Sequence, residues 1–485
     1  MRATGGQARP SAKPKGDPPM IAVLIALAAL GLLIMAAYRG YSVILFAPIA
    51  ALLAVLATDP ALVAPLFSGL FMERLAGFLK NYFPVFLLGA VFGKLFEISG
   101  FSDGLVSGVL KLMGPRRAIP AVVAVCALLT YGGVSLFVVV FAAYPFAAAM
   151  FRRADIPKRL LPATIVLGGA TFTMDSLPGT PQIQNIIPTG FFGTTAWAAP
   201  ILGVIGAVFI LSVGLAYLDR ARRKALAKGE GYGAGHLNEP ELAQGDEQVV
   251  AHPALALLPL LVVALTNLAL TYAIPHVYSA SIVVDLPSLP HPLVTPRDTV
   301  IAIWAVEGAL VAGVLTVIGL AFRRVLRTFA AQTKTAISGA LLASLNTASE
   351  YGFGAVIAVL PGFLLIRDSL QAVPNPLVNE AVSITTLSAV TGSASGGMSI
   401  ALGALGDRFI ASAQAAGISP EVLHRVASMA SGGMDTLPHN GAIITILAVT
   451  GLTHRQAYKD IFALTLVKTA AVFVVIAAYY MTGWV

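Results

Sequence analysis

The sequence predicts an all-α integral membrane protein. The expected fold is a polytopic helical bundle of about 12 transmembrane helices, with two inverted-topology repeats, re-entrant helical hairpins and discontinuous helices. Three observations predict this class. The 485 residues are 57% hydrophobic and only 11% charged, whereas soluble domains carry about 25% charged residues. Long apolar runs recur along the whole chain, and a set of short motifs occurs twice in the same order.

Six apolar runs are long enough to cross a hydrocarbon core about 30 Å thick. Because they occur throughout the chain, a cleaved signal peptide does not explain them. The runs are residues 20–38, 41–58, 198–218, 253–275, 299–322 and 461–482.

Composition also excludes several classes of function. The net charge of +8 does not indicate a nucleic-acid partner, because Lys and Arg gather in short loops, as in membrane proteins with basic cytoplasmic loops. The single cysteine, Cys126, lies in an apolar run and is expected to pack as a small buried side chain. We therefore expect no disulfide, no metal site and no cofactor.

Loop composition divides the chain into four segments. Residues 1–19 are polar and predict a disordered cytoplasmic tail, and residues 219–252 predict a cytoplasmic linker that is basic at its start and acidic at its end. Between and after them lie an N-terminal transmembrane half, 20–218, and a C-terminal half, 253–485. Residues 276–298 contain one basic residue, Arg297, and are expected on the outer face.

Four landmarks recur in the same order in both halves, which predicts internal duplication. The Gly-Gly-x-Ser motif and the Asp of the Met-Asp-x-Leu-Pro motif are 43 residues apart in the first half, at Gly132 and Asp175, and 39 apart in the second, at Gly396 and Asp435. The pairs are Glu97-Ile-Ser-Gly-Phe101 with Glu350-Tyr-Gly-Phe353, Gly132-Gly-Val-Ser135 with Gly396-Gly-Met-Ser399, Ile156-Pro157 with Ile418-Ser-Pro420, and Met174-Asp-Ser-Leu-Pro-Gly-Thr180 with Met434-Asp-Thr-Leu-Pro-His-Asn440.

Loop charge predicts that the two copies lie in opposite orientations. The first hairpin, 118–150, is flanked by seven basic residues, so both its ends are expected in the cytoplasm and its Gly-Gly tip in the membrane. The matching stretch of the second half has three, Arg367, Arg408 and Arg425, so its hairpin is expected to open to the other face. Opposed halves are the plan of many secondary transporters.

Each half carries a helix that Pro and Gly interrupt. Pro178, Gly179 and Pro181 predict a first helix that stops near Asp175 and restarts near Pro181, and the segment 435–441 repeats the pattern. Helix breaks at membrane depth occur where they are buried or line a cavity, so matched breaks indicate a transport site. Simple kinks made for helix packing are the alternative.

The predicted site suits a small anion. A restarting helix presents unpaired N–H groups and the positive end of its dipole, which bind carboxylates. Hydroxyl, amide and imidazole groups near the breaks and small residues at the hairpin tips complete the site. The predicted substrate-binding residues are Gly132, Gly133, Ser135, Ser176, Thr180, Gln182, Asn185, Ser395, Gly396, Gly397, Ser399, Thr436, His439 and Asn440.

Ionisable residues within the bilayer are costly and usually functional. Asp175, Glu350 and Asp435 are the predicted proton-coupling residues. Helix capping by the two aspartates, or binding of a coupling cation, is an open alternative. Lys94 and Glu97 are spaced for an ion pair on one helix face, which is a structural role.

Three strings in the sequence resemble the gluconate permease (GntP) family of the ion-transporter superfamily. They are Gly89-Ala-Val-Phe-Gly-Lys-Leu-Phe-Glu-Ile-Ser-Gly100, Asp175-Ser-Leu-Pro-Gly-Thr-Pro-Gln-Ile-Gln-Asn185 and Gly433-Met-Asp-Thr-Leu-Pro-His-Asn-Gly441, and Lys228-Gly-Glu-Gly-Tyr-Gly233 is similar too. The resemblance implies a proton-coupled symporter that takes up gluconate or a related sugar acid. Relatives carry other small hydroxylated acids, including D-serine, so the substrate stays open.

The sequence therefore predicts a permease of the bacterial inner membrane, with its N-terminus in the cytoplasm. Its expected partners are a small organic anion, protons and the lipid bilayer, and self-association is left open. A sodium-coupled symporter of the same fold for carboxylates, hydroxy acids or amino acids is the main alternative. A passive channel and an intramembrane enzyme are further rivals, but the motifs of intramembrane aspartyl and rhomboid proteases are missing.

Overall fold

The computed structural model describes residues 19–39, 41–114, 117–134, 136–239, 251–288, 291–370, 373–438 and 440–485. Two predicted site residues, Ser135 and His439, lie outside the described residues, as does most of the predicted N-terminal tail. The described part of the chain is a helical bundle with a short two-stranded hairpin.

The first half is a succession of helices, two of which are a single turn. In order, they are α1 (Pro19–Tyr38), α2 (Val43–Thr58), α3 (Val63–Pro65), α4 (Met72–Ile98), α5 (Phe101–Met113), α6 (Ala118–Tyr131), α7 (Leu136–Arg153), α8 (Leu161–Gly169), α9 (Phe172–Asp175), α10 (Ile183–Phe192) and α11 (Pro200–Leu226).

The second half contains nine helices and two strands among the described residues. They are α12 (Pro253–Val277), β1 (Ser281–Val284), β2 (Leu293–Pro296), α13 (Ile301–Leu320), α14 (Phe322–Val359), α15 (Pro361–Leu370), α16 (Pro376–Thr391), α17 (Ala394–Ala415), α18 (Pro420–Ser431), α19 (Gly441–Thr450) and α20 (His454–Thr482).

The two strands are a departure from the all-α prediction. They pair antiparallel, with Ser281 opposite Pro296, and lie within the predicted outer loop 276–298. The run Ser-Ile-Val-Val at the first strand has β-branched residues that favour extended backbone. The long loop between α12 and α13 therefore contains a β-hairpin.

The helices fit a membrane environment. Five helical segments of the described chain are long and apolar enough to span a bilayer: Pro60–Ile98, Pro200–Leu226, Pro253–Val277, Ile301–Leu320 and His454–Thr482. The predicted runs 20–38 and 41–58 form shorter apolar helices. The segment Pro60–Ile98 was not among the predicted runs, because charged residues interrupt its apolar sequence.

Helix α11 illustrates how the apolar surface is arranged. It exposes Ile201, Val204 and Val208 while it buries Gly206 and Ile210 against neighbouring helices. Apolar side chains on both sides of a helix are typical of a helix that contacts lipid on one side and protein on the other.

The elements of the two halves follow the same order. Each has a long helix (α4, α14), a short helix (α5, α15), a helical hairpin (α6 and α7, α16 and α17), an interrupted helix (α8 to α10, α18 to α19) and a long final helix (α11, α20). The interrupted helices occupy the centre of the bundle, where all of α8 and residues 422–431 of α18 are buried.

The two interrupted helices run in opposite directions. The end of the bundle that contacts residues 227–239 is called the linker face here. Lys158, just before α8, and Ala448, near the end of α19, both bond to linker residues at this face. Away from it, Thr194 follows α10 and contacts His424 near the start of α18, with 2.7 Å between Oγ1 and Nδ1.

The two hairpins also open toward opposite ends. Tyr144 of α7 bonds to the linker residue Asn238, so the first hairpin opens at the linker face. Asn375, before α16, accepts a hydrogen bond from Tyr480 at the far end of α20, 3.1 Å between oxygens. Because α20 begins near the linker face, where Asp460 contacts Arg159, Tyr480 lies at the opposite end.

Candidate transport site at the two helix interruptions

The first interruption lies between Asp175 and Ile183. Pro178 and Pro181 cannot donate backbone hydrogen bonds, and Gly179 adopts a left-handed conformation with φ of 78°. A Cβ at Gly179 would overlap the ring of Trp197, so glycine is required for both conformation and space. Helix α8 ends at Gly169, six residues before the predicted stop, and the single turn α9 then ends at Asp175 itself. The restart, at Ile183, is two residues later than predicted.

The second interruption spans 432–440, between α18 and α19. Asn440 is the N-cap of α19, and its Oδ1 accepts hydrogen bonds from the backbone N–H groups of Ala442, at 2.7 Å, and Ile443, at 3.2 Å. Both interruptions predicted from the Pro and Gly positions are therefore present.

An amide side chain ties each interruption to the hairpin tip of the same half. Gln182, at the N-cap of α10, donates through Nε2 to the carbonyl of Thr130 at 2.7 Å and to that of Val134 at 3.3 Å. Asn440 donates through Nδ2 to the carbonyl of Gly392 at 2.7 Å. Each amide thus donates to backbone carbonyls at the hairpin tip of its own half.

Lys468 of α20 joins the two interruptions. Its Nζ lies 2.9 Å from Asp435 Oδ1 and 3.7 Å from Asp175 Oδ2, and it donates to the carbonyl of Ala170 at 2.8 Å. The side chains of Lys468 and Asp175 are each 2% exposed, and that of Asp435 is 12% exposed. One buried ammonium group therefore holds a carboxylate from each half.

Arg425 is fully buried in α18 beside this cluster. Its Nη1 donates to the carbonyl of Asp175 at 3.0 Å and to Asn185 Oδ1 at 3.1 Å. Its Nε and Nη2 both donate to the carbonyl of Ala198, at 3.2 and 2.7 Å. The prediction from the sequence that Arg425 is a loop charge was wrong, because the residue lies within a buried helix.

The positively charged guanidinium group of Arg425 donates only to neutral acceptors among its described contacts. The adjacent His424 is also buried, with Nε2 at 3.2 Å from Asn185 Oδ1. Asn185 therefore receives contacts from two consecutive residues of the other half. The arrangement binds α10 to α18 and gives the site a cation that the described contacts do not neutralise directly.

Glu350 of α14 lies against the tip of the second hairpin. It is 6% exposed, nine residues before the end of α14, and a Cβ at Gly396 would overlap its Oε2. Ser393 caps α17, with its Oγ accepting from the Gly396 N–H at 3.0 Å. Glu97, its partner in the sequence landmark, is instead at the end of α4 and pairs with Lys94 at 2.9 Å, as the spacing predicted.

The other predicted site residues fall into three groups. Several hydroxyl and amide groups bond to the protein itself: Ser176 to Asp175, Thr180 to the Thr173 carbonyl, Asn185 to the Thr180 and Ala196 carbonyls, Thr436 to Thr465, and Ser395 to Thr347 and Ser393. Ser399 is buried, and its Oγ has no hydrogen-bond partner within the part of the chain that the structure describes. Gly132, Gly133 and Gly397 pack closely against Leu260, Leu310 and Ser388 respectively.

Sequence reasoning missed two central residues, Lys468 and Arg425. Lys468 is the lone charge in the middle of the apolar run 461–482, and an ionisable residue at that depth is a functional candidate by default. A further buried acid, Glu380 of α16, was also missed. Neither of its carboxylate oxygens has a hydrogen-bond partner among the described residues.

The linker forms an ionic contact outside the membrane-spanning segments. Glu230 accepts from Arg159 Nε at 2.6 Å and Nη2 at 3.1 Å, and Arg159 also donates to Asp460 at 2.7 Å. The Arg159 hydrogen bond holds the pKa of the Glu230 carboxyl below its ordinary value. The linker thereby connects the start of α8 with α20.

Comparison with known proteins identifies transporters. The chain is 54% identical over 471 residues to the uncharacterized transporter YxjC of Bacillus subtilis, an alignment that covers 96% of this chain and all of that protein. No protein-family model matches the chain.

Two solved transporter structures share the fold at low sequence identity. The YdaH transporter of Alcanivorax borkumensis aligns with a TM-score of 0.50 at 15% identity, over 96% of this chain and 99% of that one. MtrF of Neisseria gonorrhoeae, described with a class of antimetabolite efflux pumps, aligns with a TM-score of 0.52 at 13% identity, over 94% of each chain. The chain belongs to the same family of membrane transporters as YxjC.

Proposed function

We propose that this membrane transporter is a secondary active permease that imports a small organic anion by proton symport. The observation that carries the proposal is the meeting of two interrupted, oppositely directed helices at Lys468, which contacts Asp175 of one half and Asp435 of the other. Such interruptions near the middle of opposed repeats are where secondary transporters bind substrate and coupling ions.

The halves 20–218 and 253–485 are proposed as inverted repeats, with about 12 crossings and two re-entrant hairpins. The shared order of elements and the opposed directions of hairpins and interrupted helices support this proposal. The basic loops at the linker face support a cytoplasmic position for that face. The carbonyl of Ala22 in α1 lies against Gly362 at the start of α15, which leads to Asn375 at the opposite end, so this contact does not support the predicted cytoplasmic N-terminus. Rocking or sliding of one half would alternate access to the site.

The anion is proposed to bind between the interruptions and the hairpin tips. The N-termini of α10, α17 and α19 direct the positive ends of their helix dipoles there, and the buried Arg425 adds a positive charge. The N–H groups of Gly396, Ala442 and Ile443 are already capped by side chains of their own half. The hydroxyl and amide groups predicted from the sequence, with Ser135 and His439, would contact a polyhydroxy ligand. The motif resemblance to gluconate permeases supports gluconate or a related sugar acid as the substrate class.

Asp175, Asp435 and Glu350 are proposed to carry the coupling proton. All three are buried at an interruption or a hairpin tip. A carboxyl group that loses water on burial is more easily protonated than one in solution. Protonation would also change how many charges Lys468 balances, which links proton binding to the geometry between the halves.

Two experiments test the function. A thermal-shift screen of purified protein against sugar acids and hydroxy acids should raise the melting temperature with the true substrate, because a ligand that binds only the folded state stabilises it. In proteoliposomes, uptake of that substrate against its gradient should collapse when a protonophore is added.

Other outcomes of the uptake assay would contradict the proposal in different ways. Accumulation that disappears when sodium is replaced, and persists with the protonophore, would indicate a sodium-coupled symporter. Equilibration without accumulation would indicate a passive channel. If no organic anion stabilises the protein or is transported by it, the proposed substrate class is wrong.

A further inference from the structure

The contacts of Lys468 resemble the contacts of a bound metal cation. Three oxygen atoms surround its Nζ: the Ala170 carbonyl, Asp435 Oδ1 and Asp175 Oδ2. Ala170 is the C-cap of α8, so its carbonyl lies at the negative end of a helix dipole. Carboxylates and the carbonyls of half-helix ends are the groups that coordinate sodium in transporters with broken helices.

A positive charge already lies among these oxygens. Two carboxylates, Asp175 and Asp435, face the ammonium of Lys468, and the guanidinium of Arg425 bonds to the Asp175 carbonyl. A sodium ion would have to take the same oxygens and would lie next to the ammonium. Like charges at that distance repel strongly in a site with little water.

We propose that Lys468 is a tethered cation that occupies the position of a coupling sodium ion and excludes sodium from this site. That this is the coupling site rests on the proposed function. The test of the inference needs no substrate. In this proposal, Lys468 and its three oxygen partners together determine which cation the transporter uses.

The inference predicts that removing the ammonium group creates a sodium site. In Lys468→Ala, the three oxygens keep their positions on the helix interruptions and gain space for a cation. Purified full-length protein is melted at constant ionic strength and pH, with sodium chloride replaced in steps by choline chloride. The wild-type melting temperature should not depend on sodium, whereas that of Lys468→Ala should rise by about 2 to 4 °C in a saturable manner.

Two matched variants separate this effect from a general response to salt. Lys94→Ala also removes a lysine that pairs with an acid at 2.9 Å, but away from the interruptions, and should not respond to sodium. Lys468→Ala combined with Asp435→Asn removes one of the ligands and should lose the sodium response. Potassium chloride serves as a second probe, because a site selective for sodium should respond to it less.

Three results would overturn the inference. The first is saturable binding of radioactive sodium by the wild-type protein, which can be measured even if Lys468→Ala does not fold. The second is a folded Lys468→Ala protein without a sodium response. The third is wild-type uptake driven by a sodium gradient. If sugar acids neither bind nor move while the sodium results hold, the proposed function fails and the assignment of Lys468 stands.

Discussion

Lys468 has two carboxylate partners, and this number matters for the proposed proton coupling. A buried ammonium group without a partner is costly, so a transporter that protonates the only partner of a lysine would pay that cost in each cycle. Here one carboxylate can take a proton while the other remains charged beside Nζ, because Asp175 and Asp435 both lie within 4 Å of it. The lysine can therefore stay paired in either protonation state of the site.

Asp435→Asn should abolish substrate accumulation and also lower stability. The substitution leaves Lys468 with Asp175 at 3.7 Å as its remaining carboxylate among the described contacts. Removing one partner of a buried ion pair costs about 3 to 5 kcal/mol, and the remaining aspartate should reduce that cost. Melting temperature in detergent and proteoliposome uptake measure the two effects.

The double variant Asp435→Asn with Lys468→Met tests the cause of that instability. It leaves the buried Asp175 carboxylate without its ammonium partner, so the melting temperature should fall below that of Asp435→Asn, and accumulation should stay absent. If the single variant Asp435→Asn accumulates substrate normally, Asp435 has no part in coupling.

Arg425→Lys should destabilise the protein although it keeps the charge. A lysine cannot reproduce the planar set of donors that reaches the carbonyls of Asp175 and Ala198 and Oδ1 of Asn185. The Ala198 carbonyl would lose the two donors that Arg425 gives it, whereas the Asp175 carbonyl keeps Ser428 Oγ at 2.8 Å. A buried acceptor left without a donor costs about 1 to 3 kcal/mol. We expect a clear fall in melting temperature.

Arg408→Lys is the control for Arg425→Lys, because Arg408 is only partly buried on α17. It should change the melting temperature little. Equal stability of the two variants would show that the hydrogen bonds of Arg425 contribute little to joining the halves.

At the scale of elements, the interruptions and hairpin tips form two matched units. Asn440 caps α19 through Oδ1 and bonds to the hairpin tip of its own half through Nδ2, because an amide offers both an acceptor and a donor. Gln182 occupies the N-cap position of α10, and its side chain bonds to the hairpin tip of the first half without capping the helix. Each unit should therefore move as one piece in the proposed alternation of access.

Gly396→Ala tests the contact between the second hairpin and Glu350. An alanine inside a helix usually stabilises it by about 0.5 to 1 kcal/mol relative to glycine. At position 396 the added Cβ would overlap Glu350 Oε2, so Glu350 or the hairpin must shift. We expect lower stability and slower uptake.

Gly339→Ala is the matched control, since Gly339 is also inside a helix and no atom lies within 4 Å of the position that an added Cβ would take. It should leave uptake unchanged and stability equal or slightly higher. A Gly396→Ala protein that matches this control in both measurements would contradict a close contact with Glu350.

Local signals in the sequence predicted the apolar helices and both interruptions. Pro178, Gly179 and Pro438 act on the backbone where they stand, so their effect can be predicted without the fold. The partners of Lys468 and Arg425 could not be predicted in this way. Lys468 is 33 residues from Asp435, and Arg425 is 250 from Asp175, and no periodic pattern encodes such contacts.

At the scale of the whole molecule, the linker crosses from one half to the other. Lys158 is buried beneath it and bonds to the Leu237 carbonyl at 3.0 Å and to Glu239 at 2.8 Å. Asn238 donates to the carbonyl of Ala448 at the end of α19, 2.8 Å away. The linker therefore fixes the start of one interrupted helix relative to the end of the other at the linker face.

Glu230→Gln should loosen this connection in a pH-dependent manner. Arg159 lowers the pKa of Glu230, so the charged pair stabilises the linker above the ordinary glutamate pKa and loses its effect as the pH falls through the lowered value. Both side chains are about a third exposed, at 31% and 39%, so the contribution should be below about 1 kcal/mol. Amide hydrogen exchange of 227–239 should therefore be faster in the variant at pH 7, and the difference from wild type should shrink in acid.

Asp219→Asn is the control, because Asp219 pairs with Arg222 and Arg223 of its own helix and should not change exchange in the linker. Equal linker exchange in Glu230→Gln and wild type at pH 7 would mean that the other contacts of the linker suffice to hold the two halves together at this face.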